Sequence, residues 1–328
     1  MNGNLTSASN SIETSRKLLE ILYRYQRVDS APDDVGETTG GELCAACCEA
    51  RKEKLAYFIE NGEPIHFVIP AFPAKSPNLT KVIGALPDLG EHMALALLQS
   101  ICDYTSYFYP PGARITICSD GHVFGDVVGV SDNTVSAYRA SLTNMIRMSN
   151  WKSLEMFGLD DAFGGTDYPK LRQTLEYGYT TSLEELKESV RTDRNSLSLF
   201  NGIHRFMFED ALARNKGETS KTKLRKESKD AAYQTIRRSN AWSRVVAENF
   251  PRAMRLSIHP QPPHSEKFGL RLMRTQDSWL TPWHGVVLDD GVKLSLVKRW
   301  EAEDLKASVV LRNGRPSHFV GPHLTIAS

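Results

Sequence analysis

Arg114-Ile115-Thr116-Ile117-Cys118 runs directly into Ser119-Asp120-Gly121-His122-Val123-Phe124-Gly125-Asp126. The first five residues are mostly β-branched or apolar, which predicts a buried strand. The glycines that follow let the backbone turn sharply, predicting a loop that carries two carboxylates and an imidazole. In open α/β sheets, ligands bind outside the carboxyl ends of the strands, so this junction is where chemistry is expected.

Working outward, Ile65-His66-Phe67-Val68-Ile69-Pro70 reads as a second buried strand closed by proline, followed by a proline-rich loop bearing Lys75. Asp88 to Tyr107 has apolar residues at helical spacing and is stopped by Pro110-Pro111-Gly112, while Ser131 to Asn150 reads as another capped helix. Strand, loop, helix in alternation predicts an α/β fold with a Rossmann-like, mostly parallel sheet flanked by helices. No GxGxxG opens a helix, so no dinucleotide is expected.

Residues 1–14 are expected to be a disordered tail, and 15–328 a single elaborated domain whose first helix is Ser15 to Arg27. About 151–249 reads as a helical insertion, with interruptions at Phe163 to Thr166 and Asp193 to Asn195. Within it, Lys216 to Lys229 holds six Lys or Arg residues without apolar periodicity. That segment reads either as a phosphate-closing lid or as a solvated loop leading into a helix over Asp230 to Asn249. The C-terminal part reads as β-rich, with a strand at Met254 to His259 and a hairpin joining Val286-Val287-Leu288 to Lys293 through Val297.

The composition is that of a globular chain with ample apolar mass: 328 residues, 41% hydrophobic and 24% charged. A net charge of +1 gives no global field for nucleic acid or anionic membranes, so any anion must meet a local cluster. Met1 to Ser15 lacks a signal-peptide pattern and no apolar run approaches a membrane span, which predicts a cytoplasmic protein. Cys44, Cys47 and Cys48 fall on one face of a helical pattern and are read as buried-face cysteines rather than a metal site.

Several groups could carry chemistry. Asp120, His122 and Asp126 combine a group that exchanges protons near neutral pH with carboxylates that orient it, although Asp120 could equally cap a turn. Lys75, stiffened between prolines, could bind phosphate, pair with a carboxylate or stay an exposed loop lysine. Arg237-Arg238-Ser239 offers guanidinium forks and a hydroxyl to a phosphate, with adjacent residues about 100° apart on a helix. His259-Pro260-Gln261-Pro262-Pro263-His264-Ser265-Glu266-Lys267 and the nearby His284 form a second polar cluster. No metal site is expected.

Together with Phe72-Pro73-Ala74-Lys75-Ser76-Pro77-Asn78 and Leu86-Pro87-Asp88-Leu89-Gly90-Glu91, the Ser119 to Asp126 segment resembles the isocyanide (isonitrile) synthases of the pyoverdine/dityrosine biosynthesis family. The likeness runs from about Lys54 to Gly285. It is strongest over Phe67 to Glu91, Arg114 to Tyr138, Ser257 to Leu270 and Thr281 to Gly285, and it points to a standalone bacterial-type enzyme. The resemblance implies conversion of the amino group of L-tyrosine, or L-tryptophan, to an isonitrile. Its carbon would come from ribulose 5-phosphate, without a cofactor, and an Fe/2-oxoglutarate oxygenase would act downstream. On that resemblance, phosphate or carboxylate binding would fall to Lys75, Arg237, Arg238 and Lys267, with Ser239 and His284 also contacting substrate, and proton transfer to His122, His259 or His264, with Asp120 and Asp126 orienting. The competing readings are a non-catalytic phosphosugar- or amino-acid-binding protein on the same scaffold, and a metal-dependent hydrolase built on His122, His259 and His264.

Overall fold

The structure, a computed structural model, describes residues 2–27, 45–215, 217–261 and 265–322. Five short strands, β1 (Ile65–Ile69), β2 (Ala113–Cys118), β3 (Leu154–Phe157), β4 (Met254–Ser257) and β5 (Phe268–Gly269), form one sheet in the order β3-β2-β1-β4-β5. Each neighbouring pair is parallel, with Ile65 opposite Ala113 and Ile69 opposite Ile117. Every residue of β1 is buried, as expected for an apolar strand covered on both faces.

Alternation along the strands divides the core. Phe67, Ile69, Ile115 and Ile117 pack with Leu18, Leu22, Leu55, Leu95, Leu98 and Tyr138 on one face. These come from α1 (Asn2–Tyr23), α2 (Ala45–Glu60), α3 (Leu89–Phe108) and, beyond α4 (Gly121–Val128), from α5 (Asp132–Met148). Val68 and Cys118 point the other way, onto Val123 of α4 and onto Trp242, Val245 and Val246. Those last three belong to the long α10 (Lys221–Asn249), reached through α6 (Leu159–Phe163), α7 (Tyr168–Tyr179), α8 (Leu183–Thr192) and α9 (Arg194–Arg214).

A 3-10 turn at Pro282–His284 precedes a second sheet of β6 (Val286–Asp289), β7 (Leu294–Val297), β8 (Ser308–Arg312) and β9 (Arg315–Val320), with α11 (Arg299–Asp304) between β7 and β8. Its order is β7-β6-β9-β8, and its pairings are mixed. The expected hairpin is β6–β7. The mostly parallel sheet flanked by helices and the β-rich C-terminal part are both present.

Four local expectations need correction. From residue 2 onward the expected tail is the first half of α1, with Ser11 and Thr14 buried. The segment after β2 is the helix α4 rather than a loop. Gly121 is needed there for proximity, since a Cβ would lie 1.9 Å from the Pro73 carbonyl oxygen. The basic segment from Lys221 onward is helix rather than loop, capped by Ser220, with Leu224 and Ser228 buried. The helical insertion is broken at its start by β3, which pairs along β2.

Cys44 and the side chains of Cys47 and Cys48 lie outside the described residues. Cys102 and Cys118 are buried free thiols, and burial pushes Cys102 up to about 12, which leaves it inert. No helix of the described residues is long and apolar enough to cross a membrane.

Candidate active site

The chain leaves β1 toward β2 and β3 on one side, then returns through α10 to β4 on the other. Order therefore reverses between β1 and β4, and a crevice opens outside their carboxyl ends. A cavity of about 140 Å³ sits there. Its walls include Pro73 to Pro77 after β1, Asp120 and Gly121 after β2, Ile258 and His259 after β4, and Trp283 and His284 on the 3-10 turn. An engineered apolar cavity of about 150 Å³ holds benzene, so an aromatic ring fits. Phe72, at the root of the first wall, has φ 57, a left-handed conformation that strains a non-glycine residue. It is held by burial, by contact with Trp283 at 5.1 Å between ring centroids, and by Ser119 Oγ donating to its carbonyl at 3.0 Å.

Lys75 reaches into a closed network. Its Nζ lies 2.7 Å from Asp88 Oδ2 and 2.9 Å from Glu91 Oε2, and it donates to the Pro282 carbonyl at 2.9 Å. These three acceptors match the three protons of the ammonium. Burial opposes its charge, but Glu91 and Asp88 outweigh that and raise its pKa. Glu91 is itself pushed up, by burial and by the Asp88 charge against the pull of Lys75, and it accepts from the Tyr138 hydroxyl at 3.0 Å. Asp88 and Glu91 also form the capping box of α3, so one helix start and two cavity walls are tied together. Lys75 is thus brought to the cavity wall, with its ammonium turned into this network.

Asp120 occupies the N-cap position of α4 without making a side-chain cap bond. Its Oδ1 is sealed from solvent and has no hydrogen-bond partner. Burial pushes the carboxyl up to about 7, so it holds or releases a proton near neutrality. His259 is the complement: its Nδ1 is sealed and unpartnered. Burial and then the Arg27, His284 and Lys267 charges lower its pKa to about 3, leaving a neutral imidazole. His284 Nδ1 lies 3.0 Å from Thr281 Oγ1, its ring stacks on Phe206, and burial lowers it to about 4.

Of the residues assigned from sequence, the cavity brings together Lys75, Asp120, Ser239, His259 and His284. His122 lies beneath the wall, its ring 3.5 Å from that of Tyr168 and its Nε2 3.0 Å from Ser136 Oγ. Asp126 is paired with Arg238 at 2.6 Å, and Arg238 also holds Glu176. Arg237 donates to the Thr181 carbonyl, Gln234 and Thr180. Lys267, lowered to about 8 mainly by burial, is off the cavity lining as well. His264 lies outside the described residues. Among the described residues, no group of three or more His, Cys, Asp or Glu side chains is placed to hold a metal ion.

Sequence reasoning gave no role to Asp88, Glu91 or Asp210. Asp88-x-x-Glu91 is a readable capping-box pattern. Asp210 follows Ile203, Phe206 and Met207 at helical spacing on α9, and all four line the cavity.

The comparisons agree with this architecture. Residues 55–310 match the family described as pyoverdine/dityrosine biosynthesis protein. The chain is 42% identical over 305 residues to the L-tryptophan isonitrile synthase AmbI2 of Fischerella ambigua, covering 93% of this chain and 91% of that protein. It is 46% identical over 270 residues to an L-tyrosine isonitrile synthase of Pseudomonas aeruginosa, covering 81% and 82%. The crystal structure of PvcA from Pseudomonas aeruginosa matches with a TM-score of 0.86 at 41% identity, over 94% of this chain and 99% of that one. Fold and cavity define an α/β protein with a ring-sized site at its sheet switch point. The chain belongs to the pyoverdine/dityrosine biosynthesis family.

Proposed function

We propose that this protein is an isonitrile synthase that converts the amino group of L-tyrosine or L-tryptophan to an isocyanide, with ribulose 5-phosphate as the one-carbon donor. The observation that carries the reading is near full-length similarity, at 42% and 46% identity, to proteins named as synthases for those two amino acids. The cavity supports it chemically. The amine would condense with the sugar ketone to an imine with loss of water, after which proton transfers, phosphate elimination and carbon–carbon cleavage release the isonitrile. Those transfers need a group that titrates near neutrality, a property Asp120 has, and His259 adds a neutral imidazole to the same cavity.

The test is mass spectrometry of the purified protein with ribulose 5-phosphate carrying carbon-13 at C2 and either amino acid. A labelled isonitrile from one of them is expected. Folded protein that binds both substrates and yields no labelled product would favour the binding-protein reading instead.

A further inference from the structure

We propose that Asp210 anchors the ammonium group of the amino-acid substrate and that Ile203, Phe206 and Met207 cradle its aromatic ring. The proposal rests on the synthase reading and names the subsite within it.

These four residues stand at positions i, i+3, i+4 and i+7 of α9, which places them on one face of the helix. All four line the cavity. Over that span the wall changes from apolar to acidic across about 10 Å of helix rise, roughly the length of an aromatic amino acid. Facing side chains continue the apolar lining with Phe124, Val128 and Trp279. A zwitterion with an aromatic tail is complementary to such a wall.

Two carboxylates line the cavity among the described residues, Asp120 and Asp210, and they are held differently. Asp120 has an unpartnered Oδ1 and no cation at ion-pair distance, and burial favours its protonated form, which makes it a poor counter-ion. Asp210 is oriented by Lys81, whose Nζ is 2.7 Å from Oδ1, and by Asn78 Nδ2 at 3.3 Å. Its other oxygen receives only Ser76 Oγ, at a long 3.4 Å. A carboxylate oxygen accepts more than one bond, so Oδ2 retains capacity for an incoming donor. Lys75, the cavity's cation, has its protons committed to Asp88, Glu91 and the Pro282 carbonyl, and so does not compete for Asp210.

The experiment is calorimetric binding to the full chain, without sugar phosphate. The probes are L-tyrosine, L-tryptophan and their des-amino analogues 3-(4-hydroxyphenyl)propanoate and indole-3-propanoate. Wild-type protein is expected to bind at least one amino acid about tenfold or more tighter than its analogue, the range of a charge-assisted hydrogen bond. Asp210→Asn should abolish that ratio by weakening the amino acid alone, and Asp210→Glu should restore part of it. Equal weakening of both probes, an unchanged ratio, or no binding to the wild type would overturn the assignment. Ile203→Trp, which leaves Asp210 intact, should weaken amino acid and analogue together by filling the ring site, and unchanged binding there would also overturn it. Because turnover is not read, the two ideas fail separately. Labelled isonitrile from wild type with a ratio insensitive to Asp210→Asn removes only the anchor, whereas an Asp210-dependent ratio without product removes only the synthase reading.

Discussion

Lys75 and Asp120 line the same cavity, one after β1 and the other after β2, yet their surroundings are opposite. Around Lys75 the ammonium meets the Asp88 and Glu91 carboxylates at ion-pair distance and donates to the Pro282 carbonyl, and Tyr138 donates to Glu91 in the same buried network. Around Asp120, and equally around His259, a polar atom is sealed from water with neither a hydrogen-bond partner nor, as Asp88 has in Lys75, an ion-pair partner. A satisfied buried network fixes one arrangement of the chain, and its loss is felt as instability. An unsatisfied buried group costs stability, and its presence in a cavity marks chemistry. Under the proposed function, the contrast divides the cavity lining into a part that holds the site in place and a part that would react.

The most damaging way to test the comparison is Asp120→Asn. Isonitrile formation should fall by about 10²- to 10⁴-fold, the usual range for a lost acid–base group, while the protein stays folded. A pH series sharpens it. The Asp120 carboxyl rises from its ordinary value of 3.8 to about 7, so the folded protein binds more protons than the unfolded chain in that window. Its contribution to stability is complete at low pH and is lost as pH climbs through 7. His259, lowered from 6.5 to about 3, acts with the opposite sign, because the unfolded chain binds the extra proton and stability drops as pH falls below 6.5. Asp120→Asn removes only the first slope. Wild-type minus variant unfolding free energy, measured by urea titration, should therefore decline between about pH 4 and pH 7. A difference that does not change with pH would mean that the carboxyl is not held protonated.

Lys75→Met probes the other side. Removing one partner of a buried ion pair leaves an uncompensated charge and costs about 3–5 kcal/mol. Urea unfolding should show that loss, and Glu91→Gln in the same chain should recover part of it by removing a stranded carboxylate. If Lys75→Met instead kept its stability and lost affinity for ribulose 5-phosphate, the lysine would be a substrate ligand and the division of the wall would be wrong.

What the sequence revealed and what it hid follow the same division between local and distant causes. β1, β2, α3, α5, β4 and the β6–β7 hairpin were legible because their pattern is local: apolar runs, helical spacing, caps and a turn. α4 was misread because Gly121 and Gly125 look like turn residues, whereas Gly121 answers to the Pro73 carbonyl, 48 positions away in the chain. The start of α10 was misread because its lysines mask the few buried positions, Leu224 and Ser228. β3 is four residues long, with Glu155 inside it, too brief for a period to emerge. At the site, Asp120, His259 and His284 were visible as polar residues just past strand ends or within a distinctive motif. Asp210 was not, because its partners Ser76, Asn78 and Lys81 lie more than a hundred positions upstream. The ion pairs that draw Asp126 and Arg238 away from the cavity were hidden for the same reason.

Those outer pairs give the smallest expected effect. Arg238 joins Asp126 of α4 to Glu176 of α7, and both carboxylates remain more than a third exposed. Solvent screening limits each such bridge to about 0–1 kcal/mol, so Arg238→Gln should shift stability by about that amount. Its side chain is already engaged with two carboxylates and the Val123 carbonyl, and it is absent from the cavity lining. A phosphate would have to outcompete those partners to recruit it. KM for ribulose 5-phosphate in Arg238→Gln should therefore stay within about threefold of wild type, with kcat unchanged, a difference of less than 1 kcal/mol. A tenfold or larger rise in that KM alone would show the guanidinium leaving Asp126 for the sugar phosphate. The boundary between supporting and reacting groups would then have to move outward from the cavity to include α4 and α7.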